Sequence, residues 1–170
     1  MVAELNQSFA IREDDPRHEI NARQTAVRSG KIRTVLLATD LSPVSDSATD
    51  QAIELAASLR ARLLVMNVID FGERGHASPL NLTARVDLQR AERELPLLAI
   101  VERARSRGLE AVFLLWTGEA GEAIVAAADA EGADLVIVGT RGLDRAGRFL
   151  LGSVSDHVVY HSACPVMVAR

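Results

Sequence analysis

Apolar residues along this chain gather into five short runs, separated by longer stretches in which they recur every three or four positions. The runs at 35–39, 63–68, 111–116, 135–138 and 166–169 are rich in Val, Leu, Ile, Phe and Ala. Such nearly continuous apolar runs are what parallel strands need when both of their faces are covered. Between them, 45–59, roughly 84–107, 120–130 and 153–161 carry helical spacing. The alternation predicts an α/β domain with an open parallel sheet, right-handed crossovers and helices on both faces. Ligands of such sheets sit beyond the carboxyl ends of the strands, where the winding direction reverses. Pro96 interrupts the second helical pattern, yet Leu95, Leu98 and Val101 keep the spacing across it, so a kink or two abutting helices is expected. Gly108 stands where a left-handed cap would end that helix. The stretch 71–83, with Gly72, Gly75 and Pro79, reads as a loop near the crevice and a candidate lid.

Residues 1–30 follow another pattern. They are polar and rich in both charges, and Ile20, Ala22, Ala26 and Val27 are the only apolar stripe for a short helix that Asp15 and Pro16 could open. So little apolar surface does not offset ordering entropy, which predicts a mobile or loosely docked extension; the bolder alternative is a partner-binding or dimer-embracing arm. The domain proper is 31–170.

Composition narrows the class. With 170 residues, 48% of them apolar and only 4% aromatic, the chain has the size of one domain with an aliphatic core. A net charge of −4 gives no overall attraction for polyanions and argues against a nucleic-acid binder. The single cysteine, Cys164, excludes an intrachain disulfide and a cysteine zinc cluster, and fits a reducing compartment. No apolar run has the length of a signal peptide or a membrane span, so a soluble cytoplasmic protein is expected.

The candidate chemistry lies in the last third. The apolar run at 135–138 leads directly into Gly139, Thr140, Arg141 and Gly142, and Gly152-Ser153 then opens the last helical pattern. Strand, glycine loop and helix N-terminus in that order suit a phosphate: glycines would allow positive φ and close backbone approach, and Ser153 would cap a helix whose amides face the same point. A Walker loop is excluded, because the only lysine is Lys31, and the dinucleotide fingerprint is absent. The spacing present, Gly-x2-Gly-x9-Gly-Ser from Gly139 to Ser153, resembles the ATP-binding signature of the universal stress protein family. Further segments are similar to the family in order: 35–40 with Ser42 to its first strand and acidic turn, 67–70 to the end of its second strand, Gly118 and Ile124 to its third crossover, and 164–166 to its last strand.

That resemblance implies a five-stranded sheet in the order 3-2-1-4-5, of the Rossmann-like, adenine nucleotide alpha hydrolase-like kind, which places Asp40 beside Gly139. It implies an ATP site at Thr39, Asp40, Val68, Gly139, Gly142, Gly152, Ser153 and Val154. In it the Val68 backbone would read the adenine edge, Asp40 and Gly139 would meet the ribose, and Gly142, Gly152, Ser153 and Val154 the phosphates. Mg²⁺ or Mn²⁺ would be held through the phosphates. It also implies a homodimer, which the uncovered edge strand at 166–169 would favour.

Several of these residues also have plainer readings. Asp40 could be only a turn aspartate capping the next helix, and Val68 only a core valine. Arg141, Arg145 and Arg148 could neutralise a triphosphate or form a solvated basic loop. His157 and His161 have metal spacing but no completing Cys or Glu, and read as surface or packing residues. Asp129, Glu131 and Asp134, at the amino end of the fourth strand, are expected to be solvated. Cys164 reads as a small buried residue. Neither a nucleophile nor a general base is identifiable, so a nucleotide-dependent stress-response switch or sensor is expected, with ATP ordering the loop at 141–151, and no enzyme beyond slow ATP hydrolysis. The alternatives are a nucleotide-independent interaction module of the same fold, a slow ATPase, or a cyclic-nucleotide ligand. An adenylating enzyme or ATP pyrophosphatase would carry a different loop where Thr39-Asp40-Leu41-Ser42 stands.

Overall fold

The computed structural model describes residues 30–70, 79–140 and 152–170, with the backbone alone over 79–83. The N-terminal extension up to residue 29, the part of the lid candidate over 71–78, and the loop bearing Arg141, Gly142, Arg145 and Arg148 lie outside the described residues, while the rest of that candidate, 79–83, is helix and not loop. Five strands, β1 (Thr34–Ala38), β2 (Arg62–Ile69), β3 (Ala111–Thr117), β4 (Leu135–Gly139) and β5 (Val166–Ala169), form one sheet in the order β3-β2-β1-β4-β5. Every pairing is parallel. Four helices connect them: α1 (Asp46–Leu59), α2 (Pro79–Ser106), α3 (Ala120–Ala130) and α4 (Ser153–His161), with a 3-10 turn at Pro43–Ser45 before α1.

Strand side chains alternate between two aliphatic cores. Val35, Leu37, Leu63, Val65 and Ile137 pack with Ala52, Ala56, Leu97 and Val101 of α1 and α2. Leu36, Leu64, Met66, Val136 and Val138 pack with Ile124, Ala127 and Val158 of α3 and α4. The middle strands are covered on both sides, which is why their runs are continuously apolar. Fully burying each Leu contributes about 1.5–3 kcal/mol.

Element boundaries depart from the sequence reading in a few places. α2 begins at Pro79, not near 84, since Pro suits a first helical position where its missing N–H costs nothing. Pro96 lies inside this one helix, so it does not divide the segment into two. Gly108 has φ +80° after α2, as its capping position requires. α1 is closed instead by Arg60 in the left-handed region, its N–H donating to the carbonyls of Ala56 and Ala57.

Asp134 is more than a solvated acid. Its Oδ2 accepts from the N–H groups of Arg33 (2.9 Å) and Thr34 (3.1 Å), fastening the start of β1 to that of β4. Glu131 ion-pairs with Arg62 at 3.7 Å. Among the described residues no helix is long and apolar enough to cross a membrane.

Candidate functional site

Past the carboxyl ends of β1 and β4 opens a cavity of about 320 Å³, within the range of small-molecule sites. Both helical layers contribute to its walls. One side carries Ser45, Asn67, Asp70 and Arg93; the other carries Ala120, Ile124, Val154 and Ser155; Asp40, Val68 and Gly139 lie between.

The turn after β1 is fixed by hydroxyls. Ser45 Oγ donates to the Ser42 carbonyl (2.7 Å), so in its 3.0 Å contact with Thr39 Oγ1 it is Thr39 that donates. Thr39 Oγ1 also accepts from Leu41 N–H at 3.1 Å, and Leu41 is held at φ +61°, a sparsely populated conformation for a leucine. Thr49 Oγ1 donates to the Ser45 carbonyl at 2.9 Å, so this buried network anchors the turn to α1. Asp40 Oδ1 accepts from Ser42 N–H (3.0 Å) and Ser42 Oγ (2.7 Å). Its carboxylate therefore shapes its own turn and does not cap α1, whose N-cap is Ser45. The Thr39 side chain is likewise engaged in the turn.

At the end of β2, Val68 is half-buried and packs with the α3 and α4 core. Asn67, one residue earlier, is 3% exposed and faces the other layer; its Nδ2 donates to the Thr39 carbonyl at 2.8 Å. Arg93 reaches the cavity from α2 and holds the carbonyl and Oε1 of Gln89 at 3.3 and 3.0 Å.

The end of the cavity where β4 meets α4 differs from expectation in its backbone. Gly139 is extended and outside the left-handed region, and Gly152 has φ −63°. Neither needs positive φ, and a Cβ at Gly139 would stand 3.7 Å from that of Ala48, an ordinary contact. Gly152, not Ser153, is the N-cap of α4. A glycine there leaves the first amides of α4 without a side-chain cap and concentrates the dipole's positive end. Ser155 Oγ donates to the Gly139 carbonyl at 2.8 Å, tying the end of β4 to the first turn of α4. Of the expected site, Thr39, Asp40, Val68, Gly139 and Val154 share the cavity wall. Gly152 and Ser153 directly precede Val154 without lining the cavity, and Gly142 lies outside the described residues.

Two polar features shape the α3 wall. Glu119 caps α3, accepting from Gly121 N–H (3.1 Å) and Glu122 N–H (2.8 Å). The Glu122 amide, with that of Gly121 and the nearby His157, holds the Glu119 carboxyl below its usual value against the opposing effect of burial. His157 and His161 stack with centroids 4.1 Å apart, and His161 Nδ1 lies 2.9 Å from the His157 carbonyl. Among the described residues no group of three His, Cys, Asp or Glu could hold a metal ion. Cys164 is only half-buried, not buried as expected, and that burial still pushes its thiol up from its ordinary value.

Ser45, Asn67, Asp70, Arg93 and Ser155 line the cavity without having been read as site residues, although 67–70 was matched to a strand end. A polar residue inside the run LLVMNVI was a usable signal for Asn67; nothing local marked Arg93, which reaches the cavity only through the packing of α2.

A family model described as the universal stress protein family matches residues 31–170. A universal stress protein of Thermus aquaticus is 36% identical over 147 residues, which cover 81% of this chain and 98% of that protein. Among solved structures, universal stress protein UspA from Lactobacillus plantarum superposes with a TM-score of 0.72 at 21% identity, over 83% of this chain and 99% of that one. A universal stress protein crystallised in complex with cAMP superposes with a TM-score of 0.63 at 29% identity, over 83% of this chain and 98% of its own.

Proposed function

The chain belongs to the universal stress protein family, and we propose that it is an ATP-binding member acting as a nucleotide-dependent switch in stress response. The observation that carries this reading is the juxtaposition, in one cavity, of the Asp40 turn, the end of β2 at Val68, and the start of α4 at Val154. It offers backbone groups for a base, a carboxylate for ribose hydroxyls, and helix amides for phosphates. Val68 would read adenine through its backbone; Asp40 and Gly139 would meet the ribose. Gly142, Gly152, Ser153 and Val154 would cradle the phosphates, whose oxygens and water would retain Mg²⁺ or Mn²⁺. The relative bound to cAMP supports an adenine nucleotide as ligand.

Binding is proposed rather than turnover. Phosphoryl transfer needs a base or a water-positioning group, and this reading already gives the Asp40 carboxylate to the ribose. Calorimetric titration of nucleotide-stripped protein with ATP and Mg²⁺ is expected to give saturable binding near one ATP per chain, and partner capture with and without ATP then tests the switch. A folded protein that takes up no ATP overturns the reading in favour of an interaction module. The cAMP complex of a relative favours one second reading, a cyclic-nucleotide site. Tighter binding of cAMP than of ATP in the same titration would establish it.

A further inference from the structure

Asn67 is costly for the fold. β2 is otherwise an apolar strand at its buried positions. Asn67 Nδ2 has the Thr39 carbonyl, but its buried Oδ1 has no hydrogen-bond partner among the described residues. An unpaired buried acceptor lowers stability, and an apolar side chain of similar shape would avoid that loss. Packing alone gives no reason for an amide here.

The ladder between β1 and β2 supplies a reason. Thr39 N–H donates to the Met66 carbonyl at 2.9 Å. In a regular parallel ladder the next rung runs from Val68 N–H back to the Thr39 carbonyl. The register instead ends with Ala38 opposite Met66, and the Thr39 carbonyl is taken by the Asn67 amide. Strand backbone groups alternate in direction, and the Ile69 carbonyl faces β3, where it accepts from Gly118 N–H at 3.1 Å. Both polar groups of Val68 therefore turn toward β1, past the point where β1 has ended and where the cavity opens.

We propose that Asn67 is a positioning residue for base recognition. By occupying the Thr39 carbonyl, it keeps the Val68 N–H out of the ladder, so that this N–H and the Val68 carbonyl stand as adjacent donor and acceptor. Together they match N1 and the 6-amino group of adenine. The inference rests on the adenine-nucleotide reading of the cavity and adds its selectivity. A 6-oxopurine presents N1–H and O6, the reverse pattern, and is rejected by a donor and acceptor fixed in this order. Without the amide, the Thr39 carbonyl draws the Val68 N–H into the missing rung and the donor is lost.

The test is titration of wild type, Asn67→Leu and Asn67→His with ATP and with inosine triphosphate, alongside thermal melts. Leucine keeps the size without a donor; histidine returns an N–H, its Nδ1 lying as many bonds from Cα as Asn67 Nδ2. Wild type is expected to prefer ATP. In Asn67→Leu the ratio of ATP to inosine triphosphate affinity is expected to fall about tenfold, mainly through weaker ATP binding, and to recover in Asn67→His. The leucine variant is expected to melt at or above wild type, since it removes the unpaired acceptor. An unchanged ratio in folded Asn67→Leu, a ratio in Asn67→His as low as in the leucine variant, or a leucine variant that melts well below wild type overturns the inference. Equal affinity of wild type for both nucleotides also overturns it, while leaving the nucleotide site itself standing. A wild type that binds neither nucleotide removes that site, and is seen before any variant is made.

Discussion

Gly121, in the first turn of α3, has no room for a side chain. An ideal Cβ there would lie 2.8 Å from His157 Cγ and 2.9 Å from His157 Cβ, atoms too near the α4 backbone to move freely. Gly121→Ala would gain up to about 1 kcal/mol in helix propensity and lose about 1–3 kcal/mol to overpacking. Denaturant unfolding should therefore reveal a net loss on the order of 1 kcal/mol, only partly relieved when His157 is shortened to Ala in a double-mutant cycle, because the His157 Cβ remains beside the added methyl. The neighbouring cap has a pH signature. Because the folded Glu119 carboxyl is depressed, chiefly by the Glu122 amide, its contribution is fully present above the unfolded value near 4.5 and is lost as pH falls through the folded value. Glu119→Gln keeps an acceptor and removes the charge, so it should cost about 0.5–1 kcal/mol at neutral pH. Urea midpoints of wild type and variant should converge as the solution is acidified below pH 4.5; a constant gap would rule out the charged cap.

At the scale of elements, what the sequence disclosed tracks how local the cause is. The β1, β2 and β4 runs are apolar because both faces are covered, and that requirement is written residue by residue. The closure of α1 was hidden, because Arg60 adopts the left-handed conformation with no glycine to announce it. A non-glycine residue there is strained, so Arg60→Gly should raise stability by about 0.5–1 kcal/mol in thermal or urea unfolding. No gain would mean that the gain in unfolded-chain entropy cancels the relief. The same distinction runs through the candidate site. Asp40, Val68 and Gly139 stand at or near the ends of apolar runs, which located them at the carboxyl end of the sheet, but any role there came only from the resemblance to the family. Asn67 was marked only as a polar residue inside an apolar run, its partner at Thr39 being far off in sequence, and Arg93 by nothing local, since it reaches the cavity through the seating of a long helix. The glycine loop suggested positive φ at Gly139 and Gly152, whereas the backbone is extended at both; spacing constrains where a loop turns more than how.

For the whole molecule, the decisive question is what covers β5. Its Pro165 and Ala169 carbonyls face β4, accepting from Val136 N–H (3.0 Å) and Thr140 N–H (2.9 Å). By alternation, the backbone groups of Val166 and Val168 point away from β4, along an edge that no other described strand pairs with, and a second copy could pair there antiparallel about a twofold axis. This orientation separates the dimer from the monomer fold experimentally. Val168→Pro removes an outward donor and leaves the rungs to β4 formed, a substitution edge strands tolerate. Sedimentation equilibrium should find wild type dimeric and Val168→Pro monomeric, with the far-ultraviolet circular dichroism of the two alike. A dimer that survives Val168→Pro would place the contact elsewhere. Loss of folding in the variant would mean that β5 depends on its partner for stability, so that assembly and folding are one equilibrium with a concentration-dependent melting temperature.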